Sequence, residues 1–129
     1  MNFPKELRYT KTHEWARREG NRVTVGITDY AQKEISDVVF AELPKIGSDE
    51  VKAKAVAVVE SVKAAFDIYA PVSGKVTKVN MDLEINPALI NQDCYGSGWL
   101  FEMEVSQGSE WDSLLRPEDY EKAIKQDVR

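Results

Sequence analysis

The chain has 129 residues, 43% hydrophobic and 30% charged, which predicts one globular domain, 1–129, with a modest core. Its 17 Lys and Arg against 22 Asp and Glu leave a formal charge of −5. Phosphate binding rests on clustered cations, so neither nucleic acid nor an anionic membrane is an expected partner. One histidine and one cysteine provide no Cys/His set for a metal site and no internal disulfide, and the lone cysteine fits a reducing, cytoplasmic setting.

No apolar run is long enough to span a membrane, and Met1 to Tyr9 has no apolar signal core. Neither a Gly-x-Ser-x-Gly elbow nor a glycine-rich phosphate loop occurs. No catalytic residue is assigned, and the chain does not read as a stand-alone enzyme.

Tyr9 and Glu14-Trp15-Ala16-Arg17 are β-like and lead to Glu19-Gly20-Asn21, a hairpin turn by composition. Val23-Thr24-Val25-Gly26-Ile27 answers with period-two alternation. Asp29, with Gln32 three residues on, has the form of a capping box and predicts one or two helical turns through Glu34. Asp37 to Leu43 is the next strand, closed by Pro44-Lys45-Ile46-Gly47. Strands follow over 53–62 and 65–70, the second ending at Pro71-Val72-Ser73-Gly74, and Lys75 to Val79 alternates. The repeated Pro-x-x-Gly suggests two similar halves. Between Met81 and Gly98 the pattern breaks into short helical turns near Leu83 and near Ile90, with Pro87 at a first helical position. Trp99 to Val105 is a last strand. Two helical stripes, Trp111/Leu114/Leu115 and Tyr120/Ala123/Ile124, flank Arg116-Pro117.

Lys63 lies between the two apolar strands at 53–62 and 65–70. A buried, unpaired lysine costs several kcal/mol, so Lys63 is expected to point to water. A tight hairpin exposes it at least cost. Ser61 and Val62 before it, with Ala64 and Ala65 after it, leave its amine open to a large enzyme. On spacing alone, a solvated turn lysine is the commoner reading.

The string Glu60-Ser61-Val62-Lys63-Ala64 resembles the lipoyl-lysine hairpin of the H proteins of the glycine cleavage system. Further stretches are similar in order along the chain: Arg8 to Trp15, Val25 to Gln32, Asp37 to Phe40 with Leu43-Pro44, Tyr69 to Gly74, Asn86 to Asn91 and Tyr95 to Leu100. The resemblance implies an all-β barrel-sandwich hybrid, two small antiparallel sheets with short helices and a C-terminal helix. It implies lipoic acid in amide linkage on Lys63 and a carrier without catalysis of its own. The carrier would take an aminomethyl group from glycine decarboxylase to aminomethyltransferase and then meet dihydrolipoamide dehydrogenase. A lipoate ligase, or a lipoyl synthase and transferase, would load it, and it would act as a monomer. Thr12, Glu14 and Asp67 match positions lining the cleft that shelters the arm. Glu60, Ser61, Val62, Ala64 and Phe66 fall where recognition or turn shaping is expected. For Glu14 and Asp67 the plainer reading is a solvated strand carboxylate.

Two departures stand out. Members often have glycine where Ala53 stands, so the positive-φ turn expected there is in doubt. Members usually carry a small polar residue where Phe66 stands, which is then either buried against a neighbour or an aromatic at a docking surface. Alternatives are therefore an H-like carrier for sulfur oxidation by a heterodisulfide-reductase-like complex, a lipoyl relay protein, or a structural β-domain with unmodified Lys63. His13 and Trp99 read as structural. Cys94 reads as a loop residue whose thiol, if exposed, could exchange with a dithiolane.

Overall fold

The alternating Val23-Thr24-Val25 run lies inside a six-stranded sheet in the computed structural model, which describes residues 1–127. That sheet orders its strands β1 (Arg8–Tyr9), β2 (Glu14–Glu19), β3 (Arg22–Ile27), β9 (Phe101–Val105), β8 (Gly74–Val79) and β5 (Asp49–Glu50). A second sheet has three strands in the order β4 (Val38–Glu42), β6 (Ala55–Ser61), β7 (Ala65–Tyr69). All pairings are antiparallel. The expected all-β class is observed, as two open sheets without a closed barrel and with one sheet larger than expected. The inward faces of both sheets meet in one core that includes Val23, Val25, Val59, Ile68, Val76, Phe101 and Met103.

A second apolar cluster lies on the outer side of β2. Trp15 packs there with Leu7, Tyr9, Tyr120 and Ile124, the last two from the C-terminal helix α4 (Pro117–Asp127). Both faces of β2 are therefore covered. Glu14, Trp15 and Ala16 are all buried, although successive strand residues point to opposite faces.

Several boundaries shift by a residue or two. Helix α1 spans Asp29–Ile35, and its N-cap is Thr28, whose hydroxyl accepts from Ala31 N. Asp29 is the first helical residue rather than the cap, and Gln32 donates to its carboxylate at 2.8 Å. Threonine wins because its oxygen lies one residue earlier, where the orphan N–H groups point. Pro87 lies before Ala88, the cap of α3 (Leu89–Gln92), and not at the first helical position; α2 covers Asp82–Ile85. The last strand starts at Phe101, because Asn80 binds the Trp99 carbonyl with its side chain. Of the first tail stripe only Trp111 is helical, in the 3-10 helix Gly108–Ser113; Leu114 is extended and Leu115 bridges to Tyr9. The two Pro-x-x-Gly glycines do different jobs. Gly47 turns at φ +93°, whereas a Cβ on Gly74 would stand 2.1 Å from the Glu104 carbonyl oxygen. They do not mark equivalent positions of a repeat.

The positive-φ turn survives without glycine: Ala53 has φ +70°. It is held by Ala53 N donating to Ala70 O at 2.8 Å and Ala70 N to Lys54 O at 3.0 Å. A Cβ in the left-handed region costs about 1–2 kcal/mol, partly offset by the larger unfolded-state entropy of glycine. Ala53→Gly is therefore expected to stabilise the fold by about 0.5–1 kcal/mol, read as a raised denaturation midpoint with unchanged slope. A lowered midpoint would show that Ala53 is unstrained.

Candidate functional site

Val62 and Lys63 form the two-residue turn between β6 and β7, closed by Ser61 N donating to Ala64 O at 2.9 Å. The favoured two-residue hairpin turns need positive φ, which β-branched Val62 resists; none of Val62, Lys63 and Ala64 has it. The Ser61 hydroxyl oxygen supplies the missing closure, accepting from Lys63 N at 3.1 Å and Ala64 N at 3.3 Å. Ser61 is buried and so shapes the turn, while Val62, Lys63 and Ala64 are exposed. Lys63 Nζ donates to Glu34 O at 2.8 Å, one of the unpaired carbonyls at the end of α1. The hairpin register pairs Glu60 with Ala65, Val59 with Phe66 and Val58 with Asp67.

A depression of about 220 Å³ opens beside this hairpin, lined by Glu34, Ile35, Phe66, Asp67, Thr12 and His13 among others. A second, of about 440 Å³, is lined by Thr12, Glu14, Lys52, Tyr69 and Leu114 among others. Thr12 borders both, so the two depressions adjoin at that residue. Glu14, by contrast, borders only the larger and Asp67 only the smaller. Glu60 lies on β6 opposite Ala65 and borders neither.

Glu14 is no solvated strand carboxylate: it is 1% exposed. His13 has φ +76°, and its backbone curls residues 10–14 so that two threonines surround the acid. Thr10 and Thr12 hydroxyls both donate to Glu14 Oε1 at 2.5 Å, and Tyr69 N donates to Oε2 at 3.2 Å. Burial pushes the Glu14 carboxyl above its ordinary value, and these three hydrogen bonds oppose the shift. A carboxylate has about four acceptor sites, so Oε2 retains room for one more donor. A cation there would favour the ionised form against desolvation.

Phe66 is half-buried and packs against the edge of the core while lining the depression. Its partial burial fits packing against neighbours. Phe66→Ser is expected to cost about 2 kcal/mol, below the full-burial range for a phenyl ring. Thermal unfolding checks this; no change would show a dispensable ring.

Three residues were not singled out from the sequence. Thr10 supplies a second hydroxyl to Glu14, Lys52 Nζ donates to Ser113 Oγ at 2.8 Å beside the cleft, and Glu34 holds Lys63 through its carbonyl. Only Thr10 left a signal, two residues from Thr12. The Cys94 thiol is not exposed. It is 7% accessible, and burial, then the charges of Asp29 and Asp93, push it up to about 12. Thiolate is the exchanging species, so Cys94 is inert towards a dithiolane. His13 Nδ1 lies 2.8 Å from Tyr120 Oη, which also meets Thr28 Oγ1 at 2.7 Å, a structural placement. Trp99 packs against the second cluster. Among the described residues no group of acidic, His or Cys side chains could hold a metal, and no helix is long and apolar enough to cross a membrane.

A sequence profile described as glycine cleavage H-protein matches residues 7–127. The chain belongs to the glycine cleavage H-protein family. It is 52% identical to a glycine cleavage system H protein of Thermus thermophilus, over 99% of this chain and 100% of that one. It is 50% identical to one of Carboxydothermus hydrogenoformans, over 96% and 95%. The crystal structure of a Mycobacterium marinum glycine cleavage system H protein superposes with TM-score 0.88 at 32% identity, covering 95% of this chain and 99% of that chain. Family members carry lipoic acid covalently on a lysine and shuttle an aminomethyl group; the chain has this carrier role, and the sulfur-oxidation and relay alternatives are not favoured.

Proposed function

We propose that Lys63 is the lysine that carries lipoic acid, and that a path from Glu34 to Glu14 receives the arm. The observation that carries this is the exposed turn position of Lys63, with two adjacent depressions beyond it that share Thr12 as a lining residue. The lipoyl group supplies the dithiol that accepts and gives up the aminomethyl group. The chain's own residues bind and orient. Phe66 and Ile35 offer apolar walls near the root, and Leu114 and Tyr69 do so deeper in. Asp67 stands at the exposed end, where a cation gains little because water screens it. Glu14 stands at the sheltered end, where a charge-assisted hydrogen bond at Oε2 is stronger. A cationic amine therefore prefers the deep position, away from water.

In this reading the partners are glycine decarboxylase, aminomethyltransferase and dihydrolipoamide dehydrogenase, with a lipoate ligase or lipoyl transferase to load the arm. A lysine on a two-residue turn can enter each partner's site in turn, and the tether keeps the local concentration high. Val62 and Ala64, exposed beside it, are the recognition contacts, with Glu60 at the hairpin edge. The carrier acts as a single-domain monomer in the cytoplasm.

The test is reconstitution of the lipoylated protein with glycine decarboxylase and labelled bicarbonate. Label should enter glycine in proportion to the lipoylated fraction. Full lipoylation without exchange would overturn the glycine partner.

A further inference from the structure

A further cavity lies outside the two depressions just described. It has a volume of about 720 Å³ and is lined by Arg8, Arg18, Trp111, Arg116 and Lys5 among others. That volume is within the ~300–1,000 Å³ range of ligand sites. A ribbon separates it from the Glu14 cleft: Tyr9 and Leu115 exchange both backbone hydrogen bonds, each 2.8 Å. Tyr9 and Leu115 border the Glu14 cleft, while their chain neighbours Arg8 and Arg116 border this cavity.

Trp111 holds two cations at once. The guanidinium carbons of Arg8 and Arg18 each lie 5.7 Å from its ring centroid, within reach of a cation–π contact. Arg18 is oriented further by Nε donating to Gly20 O at 2.8 Å. In a chain of net charge −5, none of Arg8, Arg18 and Arg116 is in an ion pair among the described residues. Glu6, Glu118 and Glu121 also line the cavity but make no such pair. Like charges gathered on one indole repel one another until an anion arrives, and planar guanidinium forks match carboxylates.

We propose that this cavity is a docking site for an acidic peptide segment of a partner protein, with Trp111 packing against its apolar atoms and the three arginines binding its carboxylates. A segment fits better than a nucleic acid, because glutamates interrupt the cations of the lining, which leaves spaced sites for single carboxylates and no continuous basic track for a phosphate chain. The inference does not depend on which lysine carries the arm.

The test uses the full chain, labelled with nitrogen-15, and a synthetic peptide of alternating glutamate and leucine. Saturable shifts are expected at the Trp111 indole N–H and the arginine Nε–H groups. They should weaken at least tenfold between 20 mM and 500 mM salt as charges are screened. The Arg8→Gln/Arg116→Gln double variant should bind at least tenfold more weakly at an unchanged melting temperature; if it unfolds, Arg116→Gln alone, at an exposed position, should give a several-fold loss. An alternating lysine–leucine peptide should cause no shift. The proposal fails if the acidic peptide causes no saturable shift at millimolar concentration, if the variants bind as the wild type does, or if inorganic phosphate alone reproduces the shifts and the peptide cannot displace it.

Discussion

In the Lys63→Arg variant we expect intact mass to show no lipoyl adduct after incubation with a lipoate ligase, against a full single adduct on the wild type. Amide formation needs a neutral primary amine, and a guanidinium stays protonated. Glycine–bicarbonate exchange should fall to background with it. The fold should not change. Lys63 is exposed on its turn, and its side-chain hydrogen bond, to Glu34 O, is of a kind that arginine also makes. A cation near a helix C-terminus is worth about 0.3–1 kcal/mol, which arginine retains. Equal melting temperatures with no adduct would assign the site to Lys63. A single adduct persisting in the variant would move it to another lysine.

Glu14→Ala is expected to destabilise the fold. A solvated carboxylate would make the substitution silent, but Glu14 is buried and accepts from Thr10, Thr12 and Tyr69 N. Alanine leaves the Tyr69 N–H and both hydroxyls without this acceptor. A buried donor left unsatisfied costs about 1–3 kcal/mol, while removal of a desolvated carboxyl returns part of that. A net loss of about 2 kcal/mol corresponds to a drop of roughly 8 °C in Tm for a domain of this size.

The pH dependence provides a second readout. The folded Glu14 carboxyl lies above its ordinary value of 4.5, so the folded state holds the proton more tightly than the unfolded chain does. The resulting stability is present in full below about pH 4.5 and is lost as pH rises through the folded value. Glu14→Gln removes this titration. The stability difference, wild type minus Glu14→Gln, should therefore fall as pH rises above about 4.5. Asp29, held below its ordinary value by Gln32, Asn2 N and Lys33 against the opposing effect of burial, contributes the opposite slope at lower pH and cancels in the difference. A difference independent of pH would show that Glu14 titrates as a solvated acid.

Local pattern determined much of this protein. Alternation in Val23 to Ile27 and in Lys75 to Val79 sufficed for the strands, because one face of each meets the core. The turn at Lys63 was legible because an unpaired ammonium among apolar strands has nowhere to go but water. The order of motifs identified the family. What pattern could not reach was how many faces of a strand are covered. Glu14 and Ala16 share one face of β2 and Trp15 the other, and the second face is buried by Leu7 and Tyr9 together with Tyr120 and Ile124 of α4. Conversely, Val39 and Phe40, apolar residues within the strand expected over Asp37 to Leu43, are 54% and 51% exposed. A register shift between Val38 and Phe40 turns both out, and such a bulge has no local signature when every candidate residue is apolar. Ala53 keeps a left-handed turn that its side chain disfavours, because hydrogen bonds to Ala70 impose it. Each of these was settled by residues distant in sequence: burial and strain depend on what lies across the fold, and a residue's chain neighbours carry no record of it.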